Sequence, residues 1–353
     1  MPKTAILLIQ LGTPDAPTAS ALRPYLRQFL GDPRVIHFPD RLRQVVWWLV
    51  KNLIVLPFRP ASSAEKYARI WDKQTGSPLL FYTQRQVEEL RQRFPETLVE
   101  FGMQIGNPSV AKVVQRLLEH QVDRLLVLPM YPQYSATTTA SATDALFAAL
   151  QKVTRVPSVR IVPPHYDDPG YIDALTTIIR EQLARLEWEP QHFLISYHGI
   201  PQRYAQEGDP YATHCTRTTR LLVEAMGWTR SQWTQSYQSL FGREQWLKPY
   251  TEPTLIKLAH KGIKRVFVIT PGFTADCLET IDEIGHEAWE VFEEHGGEKL
   301  HQCPCLNDHP AWIAALENLL RREGAGWLPP VDTEDPLDVP PAEANLVASQ
   351  AGG

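Results

Sequence analysis

The sequence predicts an α/β fold made of two similar Rossmann-like domains, each a parallel β-sheet flanked by helices. Short apolar, β-branched segments alternate with helical patterns along the chain, as they do in parallel sheets covered by helices. The two halves of the chain also carry similar strand-and-turn sequences. The length of 353 residues suits two domains of roughly 100–200 residues each.

The order of the elements supports this fold. The predicted strands are short apolar runs at 5–11, 97–105, 124–129, 159–162, 192–197, 266–270 and 300–303. The predicted helices show apolar residues at helical spacing and include 109–120, 140–151, 171–185, 212–226, 252–260, 280–294 and 311–322. In such folds ligands bind outside the carboxyl ends of the strands.

Two pairs of similar segments indicate a duplicated domain. A strand ending in Gly-x-Pro occurs at Gly12 and again at Gly199, 187 positions later. A second strand begins at Arg124 and again at Arg265, 141 positions later. The first copy therefore carries 46 additional residues between these strands. We place most of them in an insertion at about 40–76.

These observations give a domain plan. The N-terminal α/β domain spans 1–155 and contains the insertion at 40–76, and the C-terminal α/β domain spans 156–308. A final helix at 309–325 is expected to pack back on the first domain. The tail at 326–353 is rich in Pro, Ala, Asp and Glu without apolar periodicity, which predicts disorder.

The insertion contains the apolar segment 45–58. Lys51 and Pro57 interrupt this segment, and it is shorter than the ~20 apolar residues needed to cross a bilayer. The paired Trp47 and Trp48 beside basic residues suit a membrane interface or the mouth of a large apolar pocket. A buried core helix is the alternative. We favour the exposed interpretation and call residues 40–59 the lip.

Charge and the N-terminus narrow the class of protein. The chain has 35 Lys and Arg against 40 Asp and Glu, a net charge of −5 without a basic block. Nucleic acid is therefore not an expected partner. Met-Pro-Lys-Thr leads directly into an apolar strand without the pattern of a signal peptide, which predicts a cytoplasmic protein.

His198 is the first candidate for chemistry. It ends the predicted strand within Ile-Ser-Tyr-His-Gly-Ile-Pro at 195–201, at the sheet edge where ligands bind. A histidine there can act as a base near neutral pH or bind a metal. A strand-end histidine is more often structural, so the residue alone remains a hypothesis.

Three carboxylates form the second candidate. Glu279, Glu283 and Glu287 recur every four residues, which places them on one face of a predicted helix. A solvated acidic face is the ordinary explanation of such a stripe. Alternatively, the stripe conducts cations or protons towards a pocket, and a histidine with carboxylates is a plausible set for Fe²⁺ or another divalent metal.

Four cysteines allow two interpretations. In a long chain without a secretion signal, reduced thiols are the simpler one. The other is a [2Fe–2S] cluster, because such a cluster needs four thiolate ligands. Its candidate ligands are Cys215, Cys277, Cys303 and Cys305.

Six motifs in order, taken together, resemble the ferrochelatases, in their proteobacterial form. The resemblance covers about residues 3–322, and its motifs lie at 11–15, 76–78, 131–135, 196–203, 238–246 and 276–280. It implies a chelatase-type fold and insertion of Fe²⁺ into protoporphyrin IX to give protohaem. Iron is thus a substrate. It also implies a lip that contacts the membrane peripherally, at the inner face.

The resemblance also implies roles for individual residues. The active-site histidine falls on His198, its partner glutamate on Glu279, and the acidic stripe on Glu283 and Glu287. All four are predicted to meet the metal. An arginine for a porphyrin propionate falls on Arg59. The other porphyrin-pocket positions fall on Leu11, Tyr67, Ser77, Tyr131, Trp246 and Phe273.

Some positions depart from the family pattern. Gln104 stands where some members carry arginine, and Cys277 stands where many eukaryotic members carry histidine. Ala136 replaces one cluster ligand of the eukaryotic form. Leu11, rather than tyrosine, resembles enzymes that use protoporphyrin instead of coproporphyrin. A chelatase for another tetrapyrrole and a non-catalytic tetrapyrrole carrier are the alternatives.

Overall fold

The computed structural model describes residues 2–38, 40–240, 242 and 244–329, and it contains eight strands in two sheets. The strands are β1 Thr4–Gln10, β2 Leu98–Met103, β3 Arg124–Pro129, β4 Ser158–Ile161, β5 His192–His198, β6 Trp233–Gln238, β7 Arg265–Ile269 and β8 Lys299–Gln302. The sheet orders are β2-β1-β3-β4 and β6-β5-β7-β8. All pairings within the sheets are parallel.

Helices surround both sheets. They are α1 Ala19–Phe29, α2 Arg41–Val50, α3 Leu56–Ile70, α4 Pro78–Arg93, α5 Val110–Glu119, α6 Ser141–Leu150, α7 Pro169–Arg185, α8 Gln202–Gln206, α9 Tyr211–Met226, α10 Thr251–His260, α11 Leu278–Ile281, α12 Trp289–Glu294 and α13 Pro310–Glu323. Three π-helical segments accompany them at Lys51–Val55, Ala136–Ala140 and Glu283–Ala288.

The predicted pair of similar domains is confirmed by this topology. β5 occupies the place in the second sheet that β1 occupies in the first, and β7 corresponds to β3. All seven residues of β1 are buried, because a central parallel strand is covered on both faces. The duplicated Gly-x-Pro turns therefore leave the carboxyl ends of equivalent central strands.

Two features differ from the expected plan. β6 was missed because four of the six residues in Trp-Thr-Gln-Ser-Tyr-Gln are polar, so that this edge strand contains no apolar run. The expected boundary between 155 and 156 is wrong because β4 pairs with β3 in the first sheet. The first sheet therefore continues to Ile161.

The C-terminal helix α13 packs against α7 and α4. Arg93 of α4 forms an ion pair with Glu317, with Nη1 and Oε2 2.8 Å apart. The next residues are packed rather than part of the predicted disordered tail. Arg160 lies over the ring of Trp327 at 4.2 Å, and the Thr4 hydroxyl donates to the Trp327 carbonyl. The rest of that tail, 330–353, lies outside the described residues.

The insertion forms α2, the π segment that follows it, and α3. Its two tryptophans diverge. Trp47 is half-buried and donates from Nε1 to the Leu30 carbonyl at 3.0 Å, whereas Trp48 is exposed. Among the described residues, none of the helices has the length and apolar character needed to span a bilayer.

Gly12 gives a test of the first Gly-x-Pro turn. Its φ is +106°, and a Cβ there would lie 1.8 Å from the Ile105 carbonyl oxygen. Gly12→Ala should therefore destabilise the protein by more than the ~1–3 kcal/mol of a strained φ alone. The matched control is Gly262→Ala, at φ +84° with no atom within 4 Å. Equal urea midpoints for the two variants would contradict the close packing at Gly12.

Candidate active site

His198 ends the central strand of the second sheet. Its Nδ1 lies 2.7 Å from the carbonyl oxygen of Gly199. Because a carbonyl only accepts hydrogen bonds, Nδ1 is the donor in this contact, and in the neutral form of the ring Nε2 carries the lone pair. The strand end thus presents a basic nitrogen at the edge of the sheet.

Gln238 links this histidine to the neighbouring strand. It ends β6 directly opposite His198 in the register, and its backbone carbonyl accepts from the Gly199 N–H at 2.8 Å. Its side-chain oxygen accepts from the Ser196 hydroxyl at 2.8 Å. The NH₂ group of the amide is directed away from Ser196.

That NH₂ group holds the carboxylate-bearing segment. Gln238 Nε2 donates to the backbone carbonyl of Glu279 at 2.6 Å and lies 3.4 Å from Glu283 Oε2. Glu279 lies in the first turn of the short helix α11, which Cys277 precedes as N-cap residue. Gln238 thus joins the end of β5 to the start of α11 and brings His198 and Glu279 into one site.

Glu283 is a half-buried ionisable group. Burial raises the pKa of its carboxyl, and the nearby charge of Glu279 raises it further. Hydrogen bonds from the Ser239 hydroxyl and Gln238, together with the proximity of His198, oppose that rise in pKa. Ser239 adopts φ +66°, which is uncommon for a residue with a side chain.

The helix bearing the stripe is not the continuous 280–294 helix that the sequence predicts. A π-helical turn, Glu283–Ala288, separates α11 from α12. The Asp282 carbonyl accepts from both the His286 and Glu287 N–H groups, at 3.0 and 2.9 Å. Such π turns occur often at functional sites.

Comparison with known proteins identifies the family. A family model described as Ferrochelatase matches residues 3–324. The ferrochelatase of Mesorhizobium japonicum is 46% identical over 330 residues, covering 92% of each chain. That of Polaromonas sp. is 48% identical over 337 residues, covering 94% of this chain and 90% of the relative.

The chain belongs to the ferrochelatase family.

A solved structure, "SirB from Bacillus subtilis with Fe3+", is similar in fold to this member of the ferrochelatase family. Its TM-score is 0.55 at 12% identity, and the match covers 92% of this chain and 96% of that chain. At that identity the likeness concerns the fold alone. It supports the two-domain, chelatase-type architecture.

Three of the expected pocket residues pack beside the start of α11. Leu11 and Phe273 pack against one apolar cluster with Leu79 and Cys277. Leu11 also packs against a second cluster, which contains Tyr67. Pocket positions that lie far apart in the sequence therefore form one continuous apolar surface in the fold.

Three further predicted positions surround this wall. Trp246 lies with its ring centroid 6.3 Å from that of His198, at an interplanar angle of 48°. Ser77 is buried immediately before α4. Arg59 lies on the exposed side of α3, at the end of the lip.

Tyr131 is fixed by a directed set of hydrogen bonds. Its hydroxyl donates to Gln104 Oε1 at 2.7 Å, and Gln104 Nε2 donates to the Ser141 hydroxyl at 2.6 Å. Ser141 in turn donates to Asp32. Gln104, one of the departures from the family pattern, therefore holds the Tyr131 ring in place.

Glu287 differs from the other two glutamates of the stripe. It forms ion pairs with Lys66 and Arg69 of α3. Among the described residues, no group of three or more His, Cys, Asp and Glu side chains is arranged to hold a metal ion. The predicted set of His198, Glu279, Glu283 and Glu287 is therefore not a closed ligand shell in this structure.

The four cysteines do not fit the predicted cluster. All four are buried and free, and burial raises the pKa of each thiol. Cys215 packs in the core beside Tyr211, whereas Cys277 packs beside Leu79. In the part of the chain that the structure describes, they form no metal-holding group.

Sequence reasoning missed two residues that organise the site, Gln238 as a link and Ser239 as a donor. Gln238 begins the motif at 238–246, which assigned it no role. The internal repeat could have revealed them. A second copy of the first sheet requires a strand equivalent to β2, and that strand is β6, which ends at Gln238.

Glu283 gives a prediction about stability. Because its folded-state pKa is raised, the ionised carboxyl destabilises the fold above the ordinary pKa of 4.5, and this cost disappears at lower pH. Glu283→Gln should therefore raise Tm at pH 7 and lose that advantage at about pH 4. Glu293→Gln on the exposed side of α12 is the control. If the Tm of Glu283→Gln at pH 7 is no higher than that of the control, the ionised Glu283 carboxyl does not destabilise the fold and the prediction is wrong.

Proposed function

We propose that this protein inserts Fe²⁺ into protoporphyrin IX, giving protohaem and two protons from the pyrrole nitrogens. The observation that carries the proposal is that one glutamine links a strand-end histidine to the segment that bears two carboxylates. His198, Glu279 and Glu283 meet where the strands of the second sheet end, which is where α/β folds bind ligands.

The roles divide by charge. With Nδ1–H bound to the Gly199 carbonyl, His198 offers Nε2 as acceptor of a pyrrole proton. Glu279 and Glu283 supply oxygen ligands and negative charge for the incoming Fe²⁺. An open set of ligands suits this chemistry, because the protein must surrender the ion to the macrocycle.

The pocket walls have a separate task. A flat porphyrin hides its nitrogen lone pairs, so insertion requires a bent ring. We propose that Leu11, Tyr131 and Trp246 hold the ring bent, using binding energy from its large apolar surface. The fixed orientation of Tyr131 suits that role, since a wall that yields cannot strain a ligand. Arg59, at the exposed rim, is placed for a propionate.

His198→Ala tests the proposed base. Insertion of Fe²⁺ should fall by at least about 10²-fold, because no other neutral base replaces Nε2, while porphyrin still binds. The measurement is anaerobic conversion of porphyrin absorbance to haem absorbance, with porphyrin binding followed by fluorescence. His260→Ala, exposed at the end of α10, is the control. Normal turnover by His198→Ala would remove the proposed role.

We further propose that the lip contacts a lipid surface. Eight large apolar side chains of the lip are between 42% and 74% exposed: Leu42, Val45, Val46, Trp48, Leu49, Leu53, Ile54 and Phe58. An apolar patch of this size on a single protein marks an interaction surface. Arg41, Arg43 and Lys51 lie among them, which suits anionic headgroups. A peripheral contact of this kind would admit an apolar porphyrin directly from the lipid.

Vesicle flotation tests the lip. Leu53→Glu with Phe58→Glu should weaken binding to phosphatidylglycerol-containing vesicles at least ~100-fold, because each apolar side chain contributes about 1.5–3 kcal/mol when buried. Phe147→Glu with Val156→Glu changes two exposed apolar residues outside the lip. Equal vesicle binding by both double variants would contradict the lip as the contact surface.

The proposal does not include a [2Fe–2S] cluster. The chemistry of insertion needs no electron transfer, since iron enters and leaves as Fe²⁺. Protonated, buried thiols serve as apolar core residues.

A further inference from the structure

Two basic residues of α3 contact the acidic segment of the site. Arg69 binds Asp282 side-on, with Nε–Oδ1 and Nη2–Oδ2 distances of 2.6 and 2.8 Å. Lys66 forms an ion pair with Glu287, and Arg69 Nη2 lies 3.5 Å from Glu287 Oε1. Two cations from one helix thus balance two carboxylates of the other segment.

The contact with Asp282 falls where the helix changes type. The Asp282 side chain has no exposed surface, whereas that of Arg69 is 46% exposed. The Asp282 carbonyl accepts the two N–H groups that begin the π turn. A buried carboxylate is strongly bound to its single cationic partner, because leaving it unpaired is costly. Arg69 therefore fixes the junction between α11 and the π turn.

Apolar packing supports the same contact. Leu278 and Ile281 of α11 pack against the cluster that contains Tyr67 and Ile70 of α3. The ion pairs and the apolar contacts therefore join the same two elements. Since α3 also carries the end of the lip, one rigid helix connects the lip with the carboxylates.

The junction controls the two carboxylates of the site. Glu279 lies three residues before Asp282, and Glu283 follows it directly. Neither glutamate forms an ion pair with a basic side chain in the described part of the chain. Gln238 of β6 holds this segment through the Glu279 carbonyl, and Arg69 of α3 holds it through the Asp282 carboxylate.

We propose that Arg69 is a positioning residue for iron insertion, acting through Asp282 to hold Glu279 and Glu283 against His198. The inference rests on the proposed function of that site. Displacement of a reacting group by about 1 Å can cost about 10²-fold in rate. A clamp on the backbone between the two glutamates is therefore expected to affect metal insertion more than porphyrin binding.

The same contacts assign Glu287 a different role from the other two glutamates. A divalent cation approaching Glu287 would meet the positive charges of Lys66 and Arg69. Glu287 is then a counter-ion that completes the clamp, and the iron-binding part of the stripe ends at Glu283.

The main test replaces the buried pair by apolar residues. Arg69→Met with Asp282→Leu removes the clamp without stranding a charge, and such replacements often preserve the fold. We expect kcat/KM for Fe²⁺ to fall at least tenfold, while the Kd for protoporphyrin, from fluorescence, stays within twofold. Wild-type kcat/KM for Fe²⁺ in the folded double variant would overturn the proposal, as would a loss carried by the porphyrin Kd.

Arg69→Lys is the second variant, in case the double variant fails to fold. It keeps the charge beside Asp282 and loses the two-point contact, so it should lower kcat/KM for Fe²⁺ by a smaller factor. Full activity of Arg69→Lys would show that the geometry of the clamp is irrelevant, and would overturn the proposal. The wild-type protein, assayed alongside, separates this outcome from failure of the proposed function, which would abolish insertion there too.

Two controls complete the design. Arg322→Met with Asp168→Asn changes a similar pair, a half-exposed arginine facing a buried aspartate 2.8 Å away, between α13 and α7. It should leave kcat/KM for Fe²⁺ within twofold. Lys66→Met unmasks Glu287 in part. A fall in KM for Fe²⁺ in Lys66→Met would make Glu287 an iron ligand and overturn its assignment as a counter-ion, whereas an unchanged KM supports it.

Discussion

The hydrogen bonds of Gln238 are the constraint on which the site depends. The backbone of this residue fixes β6 to the turn after His198, and its amide fixes the backbone of Glu279. The Glu279 carbonyl can only accept, so the NH₂ group of the amide faces it and the amide oxygen accepts from the Ser196 hydroxyl. One side chain therefore sets the separation between a strand end and a helix start. This link therefore determines where the carboxylates of Glu279 and Glu283 lie relative to His198.

The two halves of the duplicated fold contribute different residues to the candidate site. The second sheet supplies His198 and the carboxylate-bearing helix, while the first supplies Leu11, Tyr131 and the lip. The insertion makes the copies unequal, and α3 uses it to reach across to α11 through Arg69. A symmetric pair of domains would offer two equivalent sheet edges. The insertion makes the two edges unequal, and we propose that the second edge handles the metal while the first supplies a pocket wall.

Electrostatic cost is concentrated at the residues that we assign to chemistry. Glu283 lies half-buried beside Glu279 and forms no ion pair with Lys or Arg among the described residues, so its pKa is raised and its charge destabilises the fold. Asp282 is more deeply buried, and Arg69 binds both of its carboxylate oxygens. These two carboxylates are thus adjacent in sequence, but among the described residues only Asp282 forms an ion pair with an arginine. A carboxylate without an ion-pair partner, such as Glu283, suits brief binding of a divalent cation. A paired carboxylate, such as Asp282, suits a position where the backbone must stay fixed.

The sequence by itself determined the α/β class, the duplication and the family, because buried parallel strands are apolar runs and the Gly-x-Pro turns recur. His198 and Glu279 followed from their places at predicted strand ends and from the motifs. The edge strand β6 and the link through Gln238 needed the tertiary structure, since a polar edge strand lacks an apolar signal. From the four-residue spacing alone, Glu287 and Glu283 have the same predicted position on one helical face. Only the packing of α3 distinguished them, because an ion pair between residues more than 200 positions apart leaves no local pattern.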